Sequence, residues 1–221
     1  VKSSKVVGTI RGFVRATHFG PTVLVVTISF FLSRVQYQPV DSLRIAIAIL
    51  AGQCVVGWTN ELVDYSLDAA AARSKKPLVG GLVTTNQLRI AISIALFMAL
   101  LLSLISPLGV IGTLVHALLL LSATMYNLYL KKTVFSVLPY VISFGGLPWA
   151  VYLSAGKNPP SWLVLGFIFI SSSFHFLNVL KDLETDVAQG VLGLPQQVGR
   201  TASLLIASLL FIAGLLSVLL R

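Results

Sequence analysis

Two nine-residue stretches carry nearly all the acid in this chain. Asn60-Glu61-Leu62-Val63-Asp64-Tyr65-Ser66-Leu67-Asp68 and Asn178-Val179-Leu180-Lys181-Asp182-Leu183-Glu184-Thr185-Asp186 both read N-x-x-x-D-x-x-x-D, offset by 118 residues. Six of the seven acidic residues lie inside them, and Asp41 is the exception. On a helix, positions i, i+4 and i+8 advance about 40° and about 6 Å per step. Asn60, Asp64 and Asp68 are therefore expected on one helical face, and Asn178, Asp182 and Asp186 on another. Oxygen ligands in such a row suit Mg²⁺, which is usually shared with substrate phosphates. Asp64, Asp68, Asp182 and Asp186 are the candidate catalytic acids, with Asn60 and Asn178 as neutral metal ligands.

Cations follow the first triad closely. Ala69 to Ala72 lead into Arg73-Ser74-Lys75-Lys76-Pro77-Leu78-Val79-Gly80-Gly81. Positive-inside topology alone would place charges there, and a grip on an anion held by acid-bound metal is the functional alternative. The loop after Asp186 (Gln189-Gly190, then Gly193-Leu194-Pro195-Gln196-Gln197-Val198-Gly199-Arg200) lacks such a cluster. The two stretches read as a duplication in which only the first copy keeps a strong anion grip. Two triads facing each other could hold two or three Mg²⁺ ions around one diphosphate, stabilising charge on the leaving group. If the carbon side is allylic, its departure leaves a carbocation that an apolar cavity shields from water. Nucleophile elbow, P-loop and zinc-type Cys/His patterns are absent from the sequence.

The elements that must position these groups are membrane helices. The 221 residues are 56% hydrophobic and 10% charged. Apolar stretches at Thr22–Leu32, Leu43–Trp58, Ile90–Ile105, Val110–Ala123, Val137–Leu153, Trp162–Leu177 and Ala202–Leu220 approach the roughly 20 residues that a span requires once their flanks are included. The expected fold is an all-α polytopic membrane protein with at least seven transmembrane helices, its two related halves (about 1–132 and 133–221) surrounding a central cavity. The net charge of +9 does not indicate nucleic acid, because the basic residues punctuate apolar spans instead of forming a stripe. The single Cys54 excludes an intramolecular disulfide framework.

With the N-terminus in the cytoplasm, Lys2, Lys5, Arg11, Arg15, Arg73, Lys75, Lys76, Arg89, Lys131, Lys132, Lys181 and Arg200 share that side. Arg34, Arg44, Lys157 and Arg221 fall opposite, and this bias places both triads at the cytoplasmic face. Residues 1–18 read as a basic amphipathic helix on the interface or as a solvated tail. Pro139, Gly145-Gly146 and Pro148 predict a kinked fifth span whose irregularity lines a cavity. Ser171-Ser172-Ser173 suit close helix packing, and His175 reads as a packing or hydrogen-bonding residue. A unit of four helices with the triad after its second would take the second copy to an eighth helix. The chain ends after seven, so the C-terminal helices are expected to be missing or degenerate.

The sequence resembles the intramembrane prenyltransferases of the UbiA superfamily. Asn60, Glu61, Asp64 and Asp68 are similar to that family's N-D-x-x-D-x-x-x-D, with Glu61 in place of the usual Asp. Arg73…Lys76-Pro77-Leu78…Gly81 resembles its basic loop, and Tyr126 with Lys131-Lys132 its Y…K-R segment. Asp182 and Asp186, followed by Gly190, Pro195 and Gly199, resemble its second motif. The resemblance implies an integral membrane helical bundle with a lateral opening to lipid, acting on a prenyl diphosphate with Mg²⁺. Arg73, Lys76, Tyr126 and Lys131 would bind the diphosphate, and the isoprenoid would pass to a lipophilic acceptor, often aromatic. A relative that cyclises the cation without an acceptor, a class I terpene cyclase, would share the metal site. An ion transporter with buried acid relays is the third reading, and it does not require two triads beside cation-rich loops. Tyr126, Tyr140, Phe144, Trp149 and Phe174 are candidates for the cavity wall, and Arg15, His18 and Asn127 for an acceptor pocket.

Overall fold

The structure is a computed structural model describing residues 2–221, with side chains from Val6 onward; Lys2 and Lys5, assigned above to the cytoplasmic side, lie outside the described side chains. Among the described residues the fold is helical, without strands. The order is α1 (Lys2–Ala16), α2 (Phe19–Ser33), α3 (Pro39–Ala70), α4 (Thr85–Ile105), α5 (Gly109–Leu128), a 3₁₀ turn (Leu130–Lys132), α6 (Leu138–Ser154), α7 (Ser161–Leu180), α8 (Leu183–Ala188) and α9 (Leu194–Leu219). Each of the seven apolar stretches falls in a helix of its own. Five helices (α3, α4, α5, α7, α9) are long and apolar enough to cross a membrane, and α1 with α2, bent by 63°, would make a sixth. The stretch expected as the fifth span is α6, whose 17 residues reach about 25 Å, at the short end of the range for a span.

The chain forms two compact units, Val1–Thr113 and Leu114–Arg221. In the first, α3 is the central helix and packs against α2 and α4. It begins with Pro39 in its first turn, where a missing N–H costs nothing. Its 32 residues extend about 48 Å. Residues 39–58 already span about 30 Å, so the first acidic motif starts where that membrane length is used up. Helix α4 opens with a capping box between Thr84 and Gln87. It buries Leu88, Ala95, Ala99 and Ser103, a stripe small enough for close approach.

The N-terminal segment is a helix and not a free tail; Val6, Val7, Ile10 and Val14 are exposed on it, and its C-terminal end packs inward. Ala16 is buried with Leu78, Val83 and Leu88, and Phe13, Trp58 and Leu62 pack against this cluster. Trp58 Nε1 donates to Phe13 O at 3.1 Å. At the α1–α2 bend the backbone lies directly on Gly57. A Cβ there would sit 2.8 Å from Ala16 O and from the Thr17 backbone, so only glycine admits this contact.

In the second unit α7 packs against α6 and α9. The serine run performs the close packing expected of it: Ser171 Oγ donates to Tyr140 O at 3.4 Å and Ser173 Oγ to Ala207 O at 2.8 Å. Helix α6 carries Pro148 internally. Its glycine pair is closely packed, since a Cβ at Gly145 would meet Ile168 at 2.6 Å and one at Gly146 would meet Leu119 at 2.4 Å.

Candidate functional site

The first motif lies on uninterrupted helix, as its spacing predicts. Asn60 Nδ2 donates to Asp64 Oδ2 at 3.0 Å. His18, left-handed at the α1–α2 bend (φ 55°), makes a side-chain hydrogen bond to Asn60. Gly57, one turn earlier on α3, is what lets that bend come so close. Glu61 and Asp68 are seven residues apart, only about 20° around the helix, and are 2% and 3% exposed. Their side chains turn to the basic loop.

The turn after α3 creates that arrangement. Ala72 is left-handed (φ 50°), its N–H donates to Ala69 O, and the N–H of Arg73 donates to Asp68 O at 3.0 Å. This pair of bonds is a Schellman closure, which usually has glycine at the left-handed position. It reverses the chain so that Arg73 Nη1 also donates to the Asp68 carboxylate, at 3.0 Å. Lys76 Nζ lies 3.2 Å from Asp68 Oδ2 and 3.5 Å from Glu61 Oε2. The N–H of Leu78 donates to Glu61 Oε1 at 3.0 Å. Arg73 and Lys76 are thus brought to the acids, with their side chains 36% and 25% exposed.

The second motif departs from a continuous helix. Helix α7 stops at Leu180 and α8 starts at Leu183, so Asn178 is on one helix and Asp186 on the next, with Asp182 at the break (φ −113°, ψ 6°). Two bonds, one of them long-range, accompany the break. Arg200 donates to Leu180 O at 3.2 Å, occupying a carbonyl of the last turn, and Asp182 N–H closes back three residues to Val179 O. Asn178 and Asp182 are exposed, and Asp186 is half-buried. Gln196 Nε2 donates to Asp186 Oδ2 at 2.9 Å.

Beyond this break the 118-residue repeat extends into the backbone. Helix α3 ends at Ala70 and α8 at Ala188. Left-handed Ala72 and Gly81 correspond to left-handed Gly190 and Gly199. The N–H of Val191 donates to Asp186 O at 2.9 Å and that of Gly190 to Val187 O, the same closure as at Asp68. Pro77 corresponds to Pro195. At the positions of Arg73, Lys75 and Lys76 the second copy has Val191, Gly193 and Leu194, so the turn persists without its cations.

Lys131 lies in the 3₁₀ turn of the second unit. A Cβ at Gly193 would meet Lys131 O at 2.6 Å and Gln196 Oε1 at 2.7 Å, so the loop after the second motif is pressed against the Lys131 turn. Ser136 Oγ accepts from Leu194 N–H at 2.9 Å and bonds to His175 Nε2 at 3.1 Å. His175 is 1% exposed and rings with Tyr126 and Tyr140, at centroid distances of 5.9 and 4.5 Å. Phe144 stacks on Tyr140. Tyr126, Tyr140 and Phe144 therefore form one group, whereas Trp149 and Phe174 are exposed. Of the acceptor-pocket candidates, Asn127 is buried and Arg15 is exposed.

Among the described residues, no three His, Cys, Asp or Glu side chains form a ready-made metal cluster. The donor set nonetheless fits Mg²⁺, which takes one or two carboxylates plus substrate phosphates and not an all-protein cage. Asp68 Oδ2 is buried without a hydrogen bond, near Lys76 but not aligned with it, and so retains capacity for a cation. Glu61 and Gln196 were not legible as partners of the loops. The seven-residue spacing of Glu61 and Asp68 was the available signal for the first, and the 118-residue offset of Leu78 and Gln196 for the second.

Solved structures share this fold. A UbiA homolog from Archaeoglobus fulgidus bound to DMAPP and Mg²⁺ superposes with a TM-score of 0.78 at 15% identity, over 93% of this chain and 76% of that one. A UbiA homolog from Aeropyrum pernix K1 gives 0.74 at 17% identity, over 89% and 75%. A digeranylgeranylglyceryl phosphate synthase gives 0.71 at 20% identity, over 97% and 76%. No curated protein matches the chain. The model of the UbiA prenyltransferase family matches residues 21–221, which carry both acidic motifs and both loops, and the chain belongs to that family.

Proposed function

We propose that this protein is an intramembrane, Mg²⁺-dependent prenyltransferase that moves an isoprenoid from its diphosphate to a lipophilic or aromatic acceptor, with its active site on the cytoplasmic side. The observation that carries this reading is the pairing of Asp68 with both Arg73 and Lys76, at 3.0 and 3.2 Å. Carboxylate and cations on one helix end are the two halves of a site for a metal-bound anion. The homolog solved with DMAPP and Mg²⁺ supports a prenyl diphosphate as that anion.

In this reading Asn60, Asp64 and Asp68 of the first motif, and Asn178, Asp182 and Asp186 of the second, supply oxygen ligands. When bound, Mg²⁺ would neutralise the charge that builds on the departing diphosphate. Arg73 and Lys76 bind phosphate oxygens with charge-assisted hydrogen bonds. Tyr126 and Lys131 are the residues of the second unit proposed to bind the same group. The prenyl tail enters from lipid, since each buried CH₂ is worth about 0.8 kcal/mol.

The test is incubation of the reconstituted protein with Mg²⁺ and prenyl diphosphates of several lengths, with and without aromatic and lipid acceptors. Prenylated acceptor as the main product supports the transferase. A cyclic hydrocarbon formed without acceptor assigns the chain as a cyclase instead, while leaving the metal ligands as they stand.

A further inference from the structure

We infer that Glu61 is a positioning residue that fixes the basic loop over residues 73–81, and through it Lys76, and does not hold the metal; this rests on the prenyl-diphosphate reading above. Glu61 is 2% exposed and directs both carboxylate oxygens at the loop. Oε1 accepts from the Leu78 N–H at 3.0 Å, and Oε2 lies 3.5 Å from Lys76 Nζ. Lys76 also reaches Asp68, 3.2 Å away, so it is held between two carboxylates on one line of α3. A buried carboxylate accepting a backbone N–H and facing an ammonium has the partners that burial demands.

The internal repeat argues the same way. Asn60, Asp64 and Asp68 have counterparts in Asn178, Asp182 and Asp186, but the counterpart of Glu61 is Val179. A different contact, from a loop side chain to the counterpart of Asp68, is made in the second copy. There the residue matching Leu78 is Gln196, and its side chain reaches back to Asp186. Each copy ties its loop to its motif by a different bond, and Glu61 is the first copy's version. Aspartate at 61 would be one C–C bond shorter, about 1.5 Å, and would lose the Leu78 N–H.

The experiment compares wild type with Glu61→Ala, Glu61→Asp and Glu61→Gln in lipid nanodiscs, first by hydrogen exchange without substrate. The Leu78 amide should exchange at least about tenfold faster in the Ala and Asp variants, with α4 amides unchanged as the check on folding. Glu61→Gln keeps an acceptor oxygen and should keep the protection. With a prenyl diphosphate, Glu61→Ala should raise KM about tenfold or more while the Mg²⁺ half-saturation stays within about twofold of wild type. Unchanged Leu78 exchange in all three variants overturns the inference. So does an Mg²⁺ half-saturation that rises in Glu61→Gln as it does in Asp64→Ala. Because exchange requires no turnover, a wild type inactive on every prenyl diphosphate would refute the functional reading alone.

Discussion

Arg73 is bonded to Asp68 twice. Its backbone N–H donates to the Asp68 carbonyl at 3.0 Å, and its guanidinium donates to the Asp68 carboxylate, also at 3.0 Å. A helix terminus and an ion pair are therefore one structure here. The bond that ends α3 also places the first loop cation beside the last acid of the motif.

Asp68 should be the most sensitive residue of the first unit. Asp68→Ala removes a proposed ligand and leaves Arg73 and Lys76 without their partner. Turnover of a prenyl diphosphate should fall about 10²-fold or more. Steady-state rates at saturating Mg²⁺ check this, and near-native turnover would contradict the ligand assignment.

The cations should act on binding. Arg73→Gln and Lys76→Gln are each expected to raise KM for the prenyl diphosphate about tenfold, with a smaller change in kcat. Salt should weaken substrate binding to wild type more than to either variant, because a charge pair is screened. Equal losses in kcat and kcat/KM would place these side chains in the chemical step instead.

The two left-handed turns give a reciprocal stability test. Ala72 occupies a position where Cβ crowds the carbonyl, at a cost of roughly 1–2 kcal/mol, and Gly190 occupies the matching position without that cost. Ala72→Gly should raise Tm by a few degrees, and Gly190→Ala should lower it by a similar amount. Thermal unfolding of the detergent-solubilised protein measures both. Shifts of the same sign would break the correspondence between the turns.

Gly57 and Gly20 differ in what a methyl group would meet. At Gly57 it would strike the backbone of Ala16 and Thr17 at 2.8 Å, and at Gly20 it would meet nothing within 4 Å. Gly57→Ala should cost about 1–3 kcal/mol and loosen the α1–α2 bend; Gly20→Ala should be near neutral. Hydrogen exchange over residues 13–20 and Tm separate the two.

The parts of the fold read correctly from sequence are those governed by local chemistry. Apolar stretches gave a helix each, and Asn60, Asp64 and Asp68 fell on one helix because nothing between them interrupts it. The second motif has the same spacing, yet breaks at Lys181–Asp182. At the break Arg200 reaches Leu180 O, a bond across 20 residues that periodicity does not contain. The close neighbours of Gly145 and Gly146, Ile168 of α7 and Leu119 of α5, lie on other helices and so outside any local pattern. Ala72 gave no turn signal, since alanine is a helix former. Only its 118-residue register with Gly190 marks it. The docking of the Ala16–Thr17 bend was likewise hidden, because Gly57 accepts it through a backbone contact and not through any apolar pattern.

The most direct test of the account is diphosphate release by the reconstituted protein given a prenyl diphosphate and a membrane lipid extract as the source of acceptors. Wild type, Asp64→Ala and Asp182→Ala are compared with Mg²⁺ and with EDTA. The account predicts release that requires Mg²⁺, falls about 10²-fold in each variant, and accompanies a prenylated product. Release that persists in EDTA, or that is near native in both variants, would contradict it.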